Sequence, residues 1–146
     1  MTSDKIKRVM DACYMAKRVR DMLPALPGGV TSSHIHYLDT IRQLESMKEN
    51  VKVSDISDML GLPRPSVTKT IKGMENLGFV KKMTTKEDGR VVYIQITDSG
   101  KALVDTYVDQ YFNGLSKELS DITDEQANIM IEVVEKFYTV MSKRKV

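Results

Sequence analysis

The sequence has little of what several classes of protein require. It contains one cysteine among 146 residues, so it cannot close an internal disulfide, and a reducing cytoplasm is its natural compartment. No apolar run approaches the ~20 residues that span a bilayer. Residues 1–21 lack the uninterrupted apolar segment of a secretory signal. We therefore expect a cytoplasmic protein with no membrane partner.

Patterns for catalysis and metal binding are equally scarce. The only histidines, His34 and His36, are two positions apart and point to different faces of a helix, so they are poor joint metal ligands. A cysteine enzyme would pair Cys13 with one of them, but no orienting acid or oxyanion-hole loop is recognisable. A glycine-rich phosphate cradle is also missing. We expect no enzyme activity, no metal and no cofactor.

Charge is distributed unevenly along the chain. The formal net charge is only +2. Residues 64–90 nevertheless carry seven basic and three acidic side chains, whereas residues 97–142 carry three basic and nine acidic ones. A basic middle beside an acidic C-terminal region indicates a local anionic partner rather than a generally adhesive surface.

The spacing of apolar residues predicts a mostly α-helical chain. The period changes between Val91 and Thr97, where alternation predicts a strand, and residues 80–84 would pair with it as an antiparallel hairpin tipped by Asp88-Gly89. The predicted helices span 4–22, 32–48, 53–60 and 64–77, followed by a long helix from Thr97 or Asp98 to about Leu119 and a last one opened by the capping box Thr123-Asp-Glu-Gln126.

Two short helices joined by a tight turn at Gly61 describe a helix-turn-helix. Ser57, four residues before the glycine, is small where the two helices would touch. Apolar side chains of both helices and of the turn would fill the space between them: Ile56, Leu60, Leu62, Val67 and Ile71.

The outward face of the second short helix carries hydrogen-bond donors and positive charge. A recognition helix enters the major groove with its N-terminus first, so these turns would meet DNA. Arginine and lysine bind guanine edges, serine and threonine read a base or contact phosphate, and apolar groups touch the thymine methyl. The predicted contacts from this helix are Arg64, Pro65, Ser66, Thr68, Lys69 and Lys72.

Two more basic residues, Lys86 and Arg90, flank the predicted tip of the hairpin. A hairpin that follows a helix-turn-helix reaches an adjacent minor groove, and narrow A·T-rich grooves attract arginine. The chain is therefore predicted to be a winged helix-turn-helix protein.

Five stretches carry a resemblance to a known family: Ile56-Ser57 with Leu60-Gly61, Ser66 to Lys69, Met74 to Val80, Asp88-Gly89-Arg90 and Ile94 to Ala102. On these stretches the chain resembles the MarR family of bacterial transcriptional regulators. The resemblance implies a single domain, 1–146, with a winged helix-turn-helix at 31–97 between dimerisation helices at 1–30 and 98–146. It also implies a homodimeric repressor of a pseudo-palindromic double-stranded DNA operator, relieved by a small molecule or an oxidant.

The resemblance also assigns roles to single residues. Arg90 looks like the wing arginine that enters the minor groove, and Asp88 looks like the acid that holds the wing and recognition-helix arginines in place. Ser57 stands where the family usually has alanine. Gly89 stands where the family usually has a charged or bulky residue, which implies a wing with fewer phosphate contacts or with greater mobility.

A homodimer is also predicted from the residues themselves. The last two helices carry apolar side chains over more than one face, and a single domain of this size has trouble covering both stripes. Burial against a second copy would cover them.

The predicted ligand-binding residues are Cys13, His34 and Tyr37. Certain members of the family use a cysteine near the position of Cys13 as an oxidant sensor, reached by tyrosines from the second helix, a role that Tyr37 would fill. Cys13 as a small buried side chain is the alternative. A pocket between the first two helices and the fifth would suit a small aromatic or lipophilic effector. Two other functions stay open: an oxidant-sensing regulator using Cys13, and a winged-helix protein-interaction module that does not bind DNA.

Overall fold

The computed structural model describes residues 1–87 and 89–144. Within them the chain is mostly α-helical with one antiparallel hairpin, which confirms the predicted fold class. None of the described helices is long and apolar enough to cross a membrane. The elements are α1 (Ser3–Asp21), α2 (Ser32–Met47), α3 (Val53–Leu60), α4 (Arg64–Asn76), β1 (Val80–Thr84), β2 (Val92–Ile96), α5 (Asp98–Val104), a π-helical stretch here called the π segment (Asp105–Gln110), α6 (Tyr111–Glu118) and α7 (Asp124–Ser142).

The hydrophobic core is built around α2. Tyr37, Leu38, Ile41 and Leu44 are buried because these apolar residues recur at three- and four-residue spacing along one stripe of the helix. Full burial of such a side chain stabilises the fold by about 1.5–3 kcal/mol relative to exposure. The remaining core residues come from the other elements around α2: Val51, Ile56, Val67, Ile71, Met74, Val80, Ile94, Ile96 and Val104.

The hairpin is anchored to the core at its base. Val80 pairs with Ile96 at this end of the ladder. The Ile94 N–H donates to the carbonyl of Val51 at 2.7 Å, and the Ile96 N–H donates to Oε1 of Glu45 on α2 at 2.8 Å. The tip residues that the structure describes are exposed, so the hairpin projects away from a fixed base.

The long helix predicted after Thr97 is not uniform. The side chain of Thr97 caps it, accepting from the Gly100 N–H at 3.2 Å, but the π segment interrupts the helix between α5 and α6. A π turn shifts the backbone hydrogen bond from i+4 to i+5 and accommodates an extra residue. Val104, directly before the π segment, is fully buried, whereas α6 has no buried residue. The interruption therefore lies where the helix leaves the core.

Three helices lie outside the core. Across the described residues, α1, α6 and α7 contribute none of the buried side chains. An apolar surface of this extent is typical of an interaction site rather than of a monomer. The exposed apolar residues are Ile6, Tyr14, Met15 and Val19 on α1, Phe112 on α6, and Ile129, Met130, Ile131, Val133, Val134, Tyr138, Val140 and Met141 on α7.

Candidate nucleic-acid interface

Gly61 turns the chain between α3 and α4. Its φ of +64° lies in the left-handed region that glycine adopts without steric cost. The Ser57 hydroxyl donates to the Leu62 carbonyl at 2.5 Å, and the Leu62 N–H donates to the Ser57 carbonyl at 3.1 Å. The sequence identified Ser57 only as a small side chain. It is buried, and its hydroxyl also closes the turn that sets where α4 begins.

One predicted core residue of this motif is misplaced. Leu62 was expected between the two helices but is 40% exposed, because it follows the left-handed glycine and starts the turn rather than lying on a helix face. Ile56, Val67 and Ile71 are buried as predicted, and Leu60 packs against them while partly buried. Three fully buried side chains therefore hold α4 against α3 and the rest of the core.

The faces of α4 separate as the sequence predicted. Val67, Ile71 and Met74 point into the core. All six predicted DNA contacts of this helix, Arg64, Pro65, Ser66, Thr68, Lys69 and Lys72, are exposed. The N-terminal end of a helix carries partial positive charge and attracts anions. Arg64 adds a full charge at that end, so the first turns of α4 form a surface that favours phosphate and base acceptors.

The hairpin lies beside this surface and is tied to it. Nζ of Lys82 on β1 lies 2.8 Å from Oε2 of Glu75, the first acidic residue of α4. This ion pair was not predicted. It directs the one carboxylate of α4 toward the hairpin and away from the outward donors of the helix. Lys86 and Arg90 are both exposed near the tip, whereas the predicted contact at Asp88 lies outside the described residues.

Comparisons with known proteins agree with this arrangement. The model of the MarR family matches residues 30–92, from just before α2 to the first residue of β2. Over this part, which is less than half of its length, the chain resembles the MarR family.

Three relatives show the extent of the likeness. The uncharacterized HTH-type transcriptional regulator YdgJ of Bacillus subtilis is 20% identical over 106 residues, 73% of this chain and 62% of YdgJ. Streptococcus pneumoniae FabT in complex with DNA has a TM-score of 0.67 at 16% identity, covering 99% of this chain and 100% of FabT. S. aureus MepR bound to ethidium bromide has a TM-score of 0.56 at 17% identity, covering 97% of each chain. The chain spans about half to two thirds of the length of the curated relatives it matches.

The chain also has a cavity of about 540 Å³. Its walls are the end of α1, the loop that follows, the start of α2, the π segment and α6. Arg20, His36 and Asp39 supply polar groups, and Tyr107 and Phe112 supply aromatic rings. The cavity thus lies between α1, α2 and the long helix predicted after Thr97, which is where the sequence placed an effector pocket.

The three predicted ligand-binding residues do not meet at this cavity. Cys13 is exposed on α1, which also contradicts its alternative as a buried side chain in this protomer. The Nδ1 atom of His34 accepts the Thr31 N–H at 3.2 Å in a capping box that starts α2. Tyr37 is 3% exposed and belongs to the core. The cavity is reached instead by His36, which the periodicity of α2 could have indicated, because it lies four residues after Ser32 and three before Asp39, both wall residues.

A charged cluster borders the same cavity, here called the Arg42 cluster and consisting of Arg42, Asp39, Asp105 and Asp109. Two parallel bonds join Arg42 to Asp109, from Nη1 to Oδ2 at 2.5 Å and from Nη2 to Oδ1 at 2.9 Å. Asp39 accepts from Nη2 at 2.9 Å and Asp105 from Nη1 at 3.4 Å. The cluster links α2 to the π segment, and nothing in the sequence pattern indicated it.

The contact between Arg42 and Asp109 changes the proton affinity of both groups. The hydrogen bond from Arg42 lowers the pKa of the Asp109 carboxyl, and the bond to Asp109 raises the pKa of the Arg42 guanidinium. The pKa of Asp109 is lower in the folded than in the unfolded chain, so the ionised carboxylate stabilises the fold. This stabilisation is complete above the ordinary carboxyl pKa. It is lost only as the pH falls through the lower, folded-state value. The Arg42–Asp109 ion pair is therefore fully ionised at neutral pH.

Proposed function

We propose that the protein is a homodimeric, sequence-specific DNA-binding transcriptional regulator that represses by occupying a pseudo-palindromic operator. One observation carries this proposal: a helix held at a defined start by a buried turn presents only donors, cations and a proline on its first outward turns. A dimer seated on both half-sites excludes other proteins from that DNA, so repression would be the direct consequence of binding.

Both α4 and the hairpin would contact the DNA, each at a different groove. Arg64 and Lys69 suit the acceptor edge of guanine, and Ser66 and Thr68 suit a base or a phosphate. Lys72, one turn further on, suits the phosphate backbone. Arg90 near the tip of the hairpin suits a narrow minor groove. FabT, which has the same fold, forms a complex with DNA, and this supports DNA as the partner of the present chain.

The helices outside the core supply the dimer. Apolar side chains occupy more than half of the circumference of α7, and none of them is buried in one protomer. α1 and α7 face each other across a largely apolar cavity of about 450 Å³ that includes Met10, Phe137 and Val140. Helices of a second copy would cover these faces. Two copies would then present two α4 helices to half-sites about one helical turn apart.

A small molecule that enters the 540 Å³ cavity would release the operator. The walls combine aromatic rings with Arg20 and Asp39, so they fit a small aromatic compound that carries a charged or polar group. The ethidium complex of MepR shows that a protein of this fold binds a planar aromatic cation.

The proposal is tested by fluorescence anisotropy of the protein with DNA from upstream of its own gene, beside a scrambled duplex of equal length. Binding that discriminates against the scramble and saturates at two chains per duplex is expected. Weak binding that is equal on the upstream DNA and on its scramble would overturn the proposal, if fragments selected from the genome are also bound no better than their scrambles. It would favour a winged-helix protein-interaction module.

Lys72→Ala should weaken binding to specific and scrambled duplexes alike. A phosphate contact releases a counterion, so the slope of log affinity against log salt should fall by about 1. The anisotropy titrations at several salt concentrations measure this slope. Lys117→Ala removes the same charge from α6, outside the interface, and should keep the wild-type slope. A Lys72→Ala slope equal to that of wild type would remove this residue from the interface.

Cys13 offers a built-in reporter of the dimer. It is the only cysteine, it is exposed in the protomer, and it continues the apolar stripe of Ile6, Val9 and Met10 on α1. Alkylation of Cys13 by a bulky maleimide should slow roughly tenfold when the protein concentration is well above the dissociation constant of the dimer, because the monomer is then a minor species. The urea-unfolded chain, alkylated at the same concentrations, controls for reagent depletion. A rate that stays constant while light scattering reports a dimer would exclude this stripe from the interface.

A further inference from the structure

The π segment lies between two parts of the protein with different tasks. Before it, α5 belongs to the core through Gly100 and the fully buried Val104. After it, α6 has no buried residue and leads to α7, the helix with the largest exposed apolar face among those described. Of the dimerisation helices, α6 and α7 are therefore joined to the DNA-binding unit through Asp105–Gln110.

The conformation of this segment decides where those helices point. One residue of an α-helix corresponds to about 100° of rotation and 1.5 Å of rise. The extra residue of a π turn therefore rotates the faces of α6 and α7 relative to α4. π turns occur frequently at functional sites, and this one also supplies Tyr107 and Val108 to the cavity wall.

Polar contacts from Arg42 join the segment to α2, beside Val108, which packs against the core. Arg42 grips Asp109 through two parallel bonds, which fix orientation as well as distance. Asp39, which shares the guanidinium, is itself oriented by Nε2 of Gln43 at 3.0 Å. Arg42 lies on the same helix as the buried Ile41, so its bonds position the segment relative to the core.

We propose that Arg42 determines the half-site spacing that the dimer accepts, although it lies outside the DNA-contacting surface. Arg42 fixes the π segment against α2. It thereby sets the angle between α6 and α7 and the DNA-binding part of each protomer, and hence the separation of the two α4 helices. This inference rests on the proposed function, since spacing has meaning only for a dimer on two half-sites.

The composition of the cluster explains why arginine is required. Lysine keeps the charge but offers a point donor in place of the planar fork, so it cannot hold both oxygens of Asp109 in one orientation. Alanine leaves three carboxylates from two elements facing one another, and their repulsion would push the π segment away from α2. Both replacements should loosen the angle without removing a DNA contact.

The experiment compares wild type, Arg42→Lys and Arg42→Ala on duplexes carrying the half-sites that wild type selects. The spacing is the native one, or one base pair shorter or longer, which changes the relative position of the half-sites by about 34° and about 3.4 Å. Wild type should prefer its native spacing roughly tenfold, and the Arg42 variants should lose most of that preference. Affinity for a duplex with a single half-site should stay unchanged. Lys48→Ala removes a single ion pair away from the π segment, to Asp55 at 2.9 Å, and should keep the preference.

The outcomes separate this inference from the proposed function. A wild type that selects no duplex would remove both. A wild type that selects its operator, with Arg42 variants that dimerise and keep the same spacing preference, would overturn the inference alone. A general loss of stability would lower single-half-site binding as well, which distinguishes a merely structural role. If the Arg42 variants fail to fold, Asp109→Asn tests the same contact from a half-exposed position. An unchanged spacing preference in Asp109→Asn would equally overturn the inference.

Discussion

Val134→Glu is expected to convert the protein into a monomer and to lower its operator affinity by roughly 100-fold or more. Val134 lies in the middle of α7 and is 48% exposed, between the apolar neighbours Met130 and Tyr138 one turn to either side. In a dimer this position becomes buried, and an unpaired carboxylate buried there carries a large desolvation cost. The monomer would keep its α4 but engage only one half-site at a time, so the benefit of linking two half-sites is lost.

Thr139→Glu is the matched control. It adds the same charge to the same helix on the polar arc, nearly opposite Val134 around the α7 axis. Sedimentation or light scattering should report a dimer for Thr139→Glu and a monomer for Val134→Glu, and the anisotropy titrations should follow the same order. A Val134→Glu protein that remains dimeric with wild-type affinity would show that α7 is not the interface.

The parts of the site that follow from local periodicity were predictable from the sequence. Val67 and Ile71 at four-residue spacing define the buried stripe of α4, and that stripe alone determines that Ser66, Thr68 and Lys69 face outward. The hairpin, the turn at Gly61 and the capping box at Thr123 likewise depend on residues close in sequence. Local chemistry decides each of these, so no knowledge of the tertiary arrangement was needed.

The features that could not be predicted depend on residues distant in sequence. Arg42 and Asp109 are separated by 67 positions, and no periodicity links them. The π segment is invisible for a related reason: its apolar residues continue the helical spacing, and only packing between the core and the departing helix shows where the extra residue is placed. The sequence placed an effector pocket between these helices, where the structure has a cavity, but Cys13, His34 and Tyr37 do not line that cavity. Chemical reactivity drew attention to Cys13 and His34, whereas three-dimensional position selects His36.

Gly100→Ala is expected to destabilise the fold by roughly 3 kcal/mol or more, a larger effect than its size suggests. A Cβ at this position would lie 2.3 Å from the carbonyl oxygen of Phe79 and 2.8 Å from Cγ1 of Ile96. The first neighbour is backbone and cannot turn aside. That same carbonyl accepts the Thr97 N–H at 3.0 Å, the bond that joins the start of the hairpin to the start of α5.

Thermal unfolding at one fixed protein concentration measures the effect, with an expected fall in midpoint of roughly 10 °C. Gly73→Ala is the control, because Gly73 lies within α4 with no atom near its missing Cβ. That substitution should be neutral or stabilising by about 0.5–1 kcal/mol. Equal midpoints for wild type and Gly100→Ala would mean that the hairpin and α5 move apart without cost. Such freedom is incompatible with a wing that must be held at a fixed angle to α4 in order to reach its minor groove.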